Sequence, residues 1–265
     1  MSTPNNLQSL FATAQEEGSL TQAAAAVINI PDMGEQIQAG LGVSVDDVQA
    51  SEVTLVSMLL DDSGSIEICG NTDNMMNGHN LFLDTFNGSK QGQDTIVHAR
   101  SLNNVIYYPF CTLQNAIRLN RGNYQADKGT PLYDATAVML GTVLAKTLEF
   151  EQACIPCRTI TVIVTDGNDE HSKIYRRKPE ALRPLIEERL KREMHVVAAM
   201  GIDDGSTNFR KIFGAMGIPD QWILTPKNSP GEIRKAFALV SQSALRVSQA
   251  GAGSFSQAAA GGFGG

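Results

Sequence analysis

Apolar and polar positions along the chain fall into short continuous runs separated by amphipathic stretches. Val53–Leu60 (VTLVSMLL) is apolar on both faces, the pattern of a strand covered by helices on each side. Arg158–Thr165 is a β-branched strand, and His195–Gly201 reads as another. Helical stretches lie between them: Asn74–Phe86, Pro131–Phe150 with proline in its first turn, and a charged helix over Lys173–Glu193. Phe209–Met216 and Pro230–Ser248 are predicted helices on either side of a short strand, Trp222–Thr225. Thr95–Leu102 and Val105–Phe110 flank Asn103-Asn104, a dipeptide suited to a tight hairpin turn. An Ala-rich helix is expected over Leu7–Ile28, with Pro31 interrupting it. Strands alternating with helices predict an α/β fold, doubly wound, with a mainly parallel sheet and one antiparallel strand from the hairpin.

Composition narrows the function classes. The chain has 265 residues, 42% hydrophobic and 18% charged, enough for one core of about 200 residues with extensions. A net charge of −7 argues against general nucleic-acid binding. No apolar run is long enough to cross a bilayer, so no membrane partner is expected. The first twenty residues lack the basic start and apolar centre of a secretory signal, which leads to the expectation of a cytoplasmic protein. Cys154 and Cys157 form the only closely spaced cysteine pair, and they precede a strand instead of opening a helix. Neither a zinc site nor a redox role is expected of them. Residues 249–265 are rich in Gly and Ala and are expected to form a flexible tail.

The candidate chemistry sits where strands end. In such sheets, ligands collect at the carboxyl ends of the strands. "DDSGS" places Asp61, Ser63 and Ser65 after the first apolar strand, "TDG" places Asp166 after a second, and "GTPLYDA" places Thr130 just before a helix. All three loops can open on one edge of the sheet. Small hydroxyls and carboxylates are the donors a hard divalent cation takes, and Mg²⁺ wants them in near-octahedral array. The alternative for the first loop is that its Asp and Ser only close a turn and cap a helix.

Taken together, "DDSGS", "GTPLYDA" and "TDG" resemble the metal-ion-dependent adhesion site of a von Willebrand factor A domain, and the resemblance covers roughly residues 50–248. It implies a Rossmann-like, six-stranded, mainly parallel sheet with one antiparallel edge strand. It further implies that Ser63 and Ser65 bind Mg²⁺ directly, that Thr130 binds it directly or through water, and that Asp61 and Asp166 act largely through water. Mn²⁺ or Ca²⁺ could stand in for Mg²⁺. On this reading residues 1–50 are a helical extension, 51–248 the domain and 249–265 the tail. The stretch from "GTPLYDAT" to "SQSALR" is more loosely similar to bacterial intracellular members of the family, which often work beside AAA+ ATPases or in stress and defence systems.

The expected function is therefore a non-enzymatic, Mg²⁺-dependent module that binds an Asp or Glu carboxylate of a protein partner. One alternative is a structural subunit whose N-terminal helix and tail drive homo-oligomer assembly while the metal braces the fold. A Mg²⁺-dependent phosphohydrolase fits less well. Ser63 stands where the second acidic residue of the haloacid dehalogenase type belongs, and neither a Gly-x-Ser-x-Gly elbow nor a Walker lysine loop is present. In the charged segment, Glu187 with Lys191 and Glu188 with Arg192 are spaced for i,i+4 pairs on a solvated face. His171 reads as an exposed loop histidine close to the Asp166 loop. Negative charge on Asp134 suits the start of its helix.

Overall fold

Every residue of β1 (Val53–Leu60), β4 (Cys157–Thr165) and β5 (His195–Gly201) is buried, so these strands form the centre of the sheet. The computed structural model describes residues 4–191, 194–250 and 261–264. β2 (Thr95–Ser101), β3 (Ile106–Thr112) and β6 (Ile223–Leu224) complete a six-stranded sheet of order β3-β2-β1-β4-β5-β6. All neighbours are parallel except β2 and β3. Asn104 takes the left-handed conformation, φ 63°, in the turn between that pair.

Chain order fixes the two helical layers. The crossover from β1 to β2 runs one way along the sheet, and those from β3 to β4 and β4 to β5 run the other. Right-handed crossovers therefore place α5 (Thr72–Asn87), which follows the short α4 (Gly64–Ile68), opposite α6 (Leu132–Gln152) and α7 (Arg183–Lys191). α9 (Pro230–Gln249) packs on α5, and α8 (Phe209–Met216) lies beside α7. The direction of winding reverses between β1 and β4, which makes their carboxyl ends the topological switch point.

The N-terminal segment differs from expectation. The single helix over 7–28 is two, α1 (Pro4–Glu16) and α2 (Gln22–Ile28), because Gly18 turns with φ 72° and Thr21 Oγ1 caps α2 by accepting from the Ala24 N–H at 3.3 Å. Pro31 opens a third helix, α3 (Pro31–Ala39), at a position where its missing N–H is harmless. Leu10, Val27, Met33 and Ile37 are buried in the same core as the strands, and Val43 N–H donates to Phe110 O on β3 at 2.7 Å. Residues 4–43 are thus a further layer on the domain.

The charged segment is also shorter than its pattern suggests. α7 starts only at Arg183, after a 3-10 turn at Pro179–Leu182. Upstream, Asp134 accepts the backbone N–H groups of Lys173, Ile174 and Tyr175, which holds that stretch out of helix. Glu187 meets Arg183 at 3.4 Å, and Arg192 lies outside the described residues. Trp222 belongs to a 3-10 turn ahead of β6.

Candidate functional site

The loops after β1 and β4 meet through Asp61. Its carboxylate accepts from Ser63 N–H at 2.8 Å on one oxygen, and from Thr165 Oγ1 at 2.5 Å and Asp166 N–H at 3.4 Å on the other. The Asp61 N–H donates to Val164 O at 2.9 Å, and Tyr124 OH donates to Asp61 O. Asp61 is fully buried, and burial raises its pKa above the usual carboxylate range.

In front of Asp61 the hydroxyls form a chain. Ser63 Oγ lies 2.9 Å from Ser65 Oγ, and Ser65 Oγ donates to Asp166 Oδ1 at 2.5 Å. Asp166 Oδ2 is buried and has no hydrogen-bond partner. Burial raises the Asp166 pKa to about 6, the Ser65 hydrogen bond offsets part of that, and the nearby charges of Asp61 and Asp204 add to it. An unpartnered buried carboxylate oxygen is costly, by about 1–3 kcal/mol or more, unless something else satisfies it.

The third loop is tied in from two sides. Gly64 N–H donates to Lys128 O at 2.9 Å, and Lys128 N–H to Asp62 O at 3.1 Å. Asn103 Nδ2 bridges Asp62 Oδ1 and Gly129 O, 2.7 Å from each, while Lys128 Nζ lies 3.6 Å from Asp62 Oδ2. On the other side, Thr130 N–H donates to His171 Nδ1 at 2.9 Å, and Thr130 O accepts from Glu170 N–H at 3.1 Å. The His171 ring lies flush on Gly129, where a Cβ would stand 2.7 Å from it, so that position excludes other residues. An ideal Cβ on Gly167 would lie 3.9 Å from Thr130 Oγ1 and 4.0 Å from Ser65 Oγ, which places both hydroxyls around one point.

The start of α6 locks the Thr130 and Asp166 loops together. Its N-cap, Pro131, offers no side-chain acceptor. The free N–H groups of Tyr133 and Asp134 are instead taken by Asp169 Oδ1 at 3.2 Å and Ser172 Oγ at 3.0 Å from the opposite loop. Asp134 answers by capping Lys173–Tyr175, a more specific role than favourable charge at a helix start.

Of the five residues singled out from sequence, Ser63, Ser65, Thr130 and Asp166 line one open cleft of about 810 Å³, and Asp61 sits directly behind them. Lys128, Lys211, Glu170 and Asp204 stand around it, and Ile68 on its wall is 87% exposed. Among the described residues, no three or more His, Cys, Asp or Glu side chains are grouped to hold a metal. The donor set here is mostly hydroxyl.

Comparison with known proteins adds information on architecture. No protein-family model matches the sequence, and no curated protein matches it either. Two structures of the pilus adhesin SpaC from Lactobacillus rhamnosus GG, one in its open conformation, superpose with TM-scores of 0.53 and 0.51. Both are 12% identical and cover 75% of this chain. The chain spans about a third of the adhesin's length, 31% and 30%. A von Willebrand factor type A structure from Catenulispora acidiphila is 18% identical over 75% of this chain and 44% of that one, at a TM-score of 0.46. The likeness to the adhesin is one of fold.

Several supports of the cleft leave no mark in the sequence. Asp62 was visible in the same motif, but its pairing with Asn103 depends on the hairpin turn lying beside β1. Tyr124 and Ser172 carry no local signal. His171 is exposed, as expected, yet its ring also holds the Thr130 backbone. Of the cysteine pair, Cys157 is buried with its thiol pushed up to about 12, and Cys154 is an exposed free thiol. No described helix is long and apolar enough to cross a membrane.

Proposed function

We propose that the cleft is a divalent-cation site through which the chain binds a carboxylate of a protein partner. The observation that carries this reading is the buried, unpartnered Asp166 Oδ2 beside the hydroxyls of Ser65 and Ser63, with Thr130 facing the same cleft. Mg²⁺, with Mn²⁺ or Ca²⁺ as substitutes, would neutralise that oxygen and take the three hydroxyls as neutral ligands. Ser63 and Ser65 are assigned direct bonds, Thr130 a direct or water-mediated one, and Asp61 and Asp166 contacts largely through water. Mostly neutral ligands leave the cation electron-poor, and a partner's Asp or Glu is the ligand that completes it. A binding module of this kind has no catalytic residues. Its partner, by the looser resemblance of residues 129–246, belongs to an intracellular system such as one built on an AAA+ ATPase.

A second reading, assembly of this chain into a homo-oligomer with the cation bracing the fold, keeps the metal but drops the partner. Calorimetric titration of Mg²⁺ into chelator-treated protein separates these ideas from a plain turn. Saturable binding to the wild type, lost in the folded S63A/S65A variant, is expected. Absence of binding to the wild type, with or without an added acidic peptide, would end the cation reading. Retention of oligomeric state in Asp61→Ala alongside loss of acidic-peptide binding would favour the partner over the assembly role.

A further inference from the structure

Of the Gly-rich stretch expected to form a flexible tail, residues 251–260 and 265 lie outside the described residues, and Gly262–Gly264 lie against the domain. Gly262–Gly264 form a 3-10 turn against the turn Asp220–Trp222 and the last turns of α9. Three features make this contact selective. Phe263 is 7% exposed, and its ring meets Trp222 edge-on, 5.1 Å between centroids at 72°. Gly262 adopts φ 57°, and a Cβ there would stand 2.3 Å from the Gln221 carbonyl oxygen, so only glycine allows the approach. Arg246 Nη2 donates to Gly262 O at 2.6 Å, a charge-assisted bond that reads the peptide backbone. The turn Asp220–Trp222 recognises the glycine and the aromatic ring, and Arg246 on α9 recognises the carbonyl.

We propose that Gln221, Trp222 and Arg246 form a peptide-binding site for a glycine–phenylalanine–glycine segment. It is filled here by the chain's own residues 262–264 and can take the same segment from a second copy. The site is independent of the cation cleft. Twelve residues, 250–261, connect the end of α9 to Gly262 and can span at most about 43 Å, enough to reach a neighbouring copy as well as the chain's own seat. A short tether gives an effective concentration on the order of millimolar. The cis form therefore dominates in dilute solution, and exchange between copies grows as concentration rises or where copies are held together. The other phenylalanine of this stretch, Phe255, is flanked by serines in Gly-Ser-Phe-Ser-Gln and lacks the glycine the seat requires.

Trp222 is the chain's only tryptophan, so its emission reports the seat alone. In the full-length Phe263→Ala chain, the emission maximum is expected to move to longer wavelength with far-UV circular dichroism unchanged. Gly262→Ala should do the same by a separate route. Capped Gly-Gly-Phe-Gly-Gly peptide should then return the emission saturably, and Gly-Gly-Ala-Gly-Gly and Gly-Ser-Phe-Ser-Gln should not. For the exchange, Trp222→Ala protein titrated into Phe263→Ala protein should also return it. In that mixture the sole tryptophan lies in an empty seat and the sole Phe263 on the other chain. Unchanged emission in both tail variants would overturn the seat. Failure of the phenylalanine peptide to act at about 10 mM, several times the effective concentration of a tether, would overturn the site as one that binds in trans.

Discussion

Two buried polar clusters occupy opposite ends of the same sheet, and they differ in how completely they are closed. At the amino ends of β4 and β5, Arg189 Nη2 donates to Thr147 Oγ1 and lies 3.0 Å from His195 Nδ1, which is in turn 2.9 Å from Thr159 Oγ1. None of the buried side-chain polar atoms of these four residues lacks a partner. At the carboxyl ends of β1 and β4, Asp61 is similarly enclosed, yet Asp166 keeps a buried oxygen with nothing to bind and the cleft opens beside it. Both clusters are polar and buried. The closed one explains itself as structure, whereas the open one costs stability that the chain alone does not recover.

That contrast can be broken from either side. Arg189→Ala should have the largest effect, removing about 3 kcal/mol in urea denaturation, because it leaves a void and two unpaired groups in a closed network. Mg²⁺ affinity in the surviving folded fraction should not change.

Acid comes next. His79 is buried against Tyr108, 2.8 Å from its hydroxyl, and burial lowers its pKa to about 4. It is neutral in the fold, and the unfolded chain takes up its proton near pH 6.5. Stability from this group is complete above pH 6.5 and falls by about 3 kcal/mol as pH drops to 4. Asp166 works the other way. Its raised pKa means that the fold gains from its protonation as pH falls from about 6 towards 3.8. Metal-free Asp166→Asn should therefore lose stability more steeply over this window than the wild type, as read by denaturation at a series of pH values.

At neutral pH the same Asp166→Asn change should stabilise the metal-free protein by about 1–2 kcal/mol, since it removes a buried charge whose second oxygen is unpaired. It should abolish any rise of Tm with Mg²⁺. A fall in metal-free Tm would mean that the open cluster was closed after all. Smallest is the positioning effect of His171. His171→Ala should weaken Mg²⁺ binding by about tenfold with Tm nearly unchanged, and His171→Asn, which keeps an acceptor for the Thr130 N–H, should recover part of the loss. Equal affinity in all three proteins would make the contact merely structural.

The two clusters also show what a sequence can display. Val53–Leu60, His195–Gly201 and Phe209–Met216 match the observed elements residue for residue, because a buried strand or a strongly amphipathic helix writes its period into the chain. The motif residues were legible for a related reason: each terminates an element that the pattern already located. What the pattern concealed came from distant partners. Asp134 holding Lys173–Tyr175 shortened a helix whose composition favoured it, and the cap of α6 comes from residues 36–38 positions away. The seat of Phe263 was hidden by low complexity, since a segment of glycines and alanines carries no period to read.

The most direct test of the cation site is anomalous diffraction from crystals of the protein grown with Mn²⁺, a substitute whose position can be seen. The account predicts a single strong peak in the cleft within bonding distance of Ser63 and Ser65 Oγ, near Thr130 Oγ1 and facing Asp166 Oδ2. A peak elsewhere, such as on the exposed Asp203–Asp204 turn, with the hydroxyl chain still closed on itself, would contradict it.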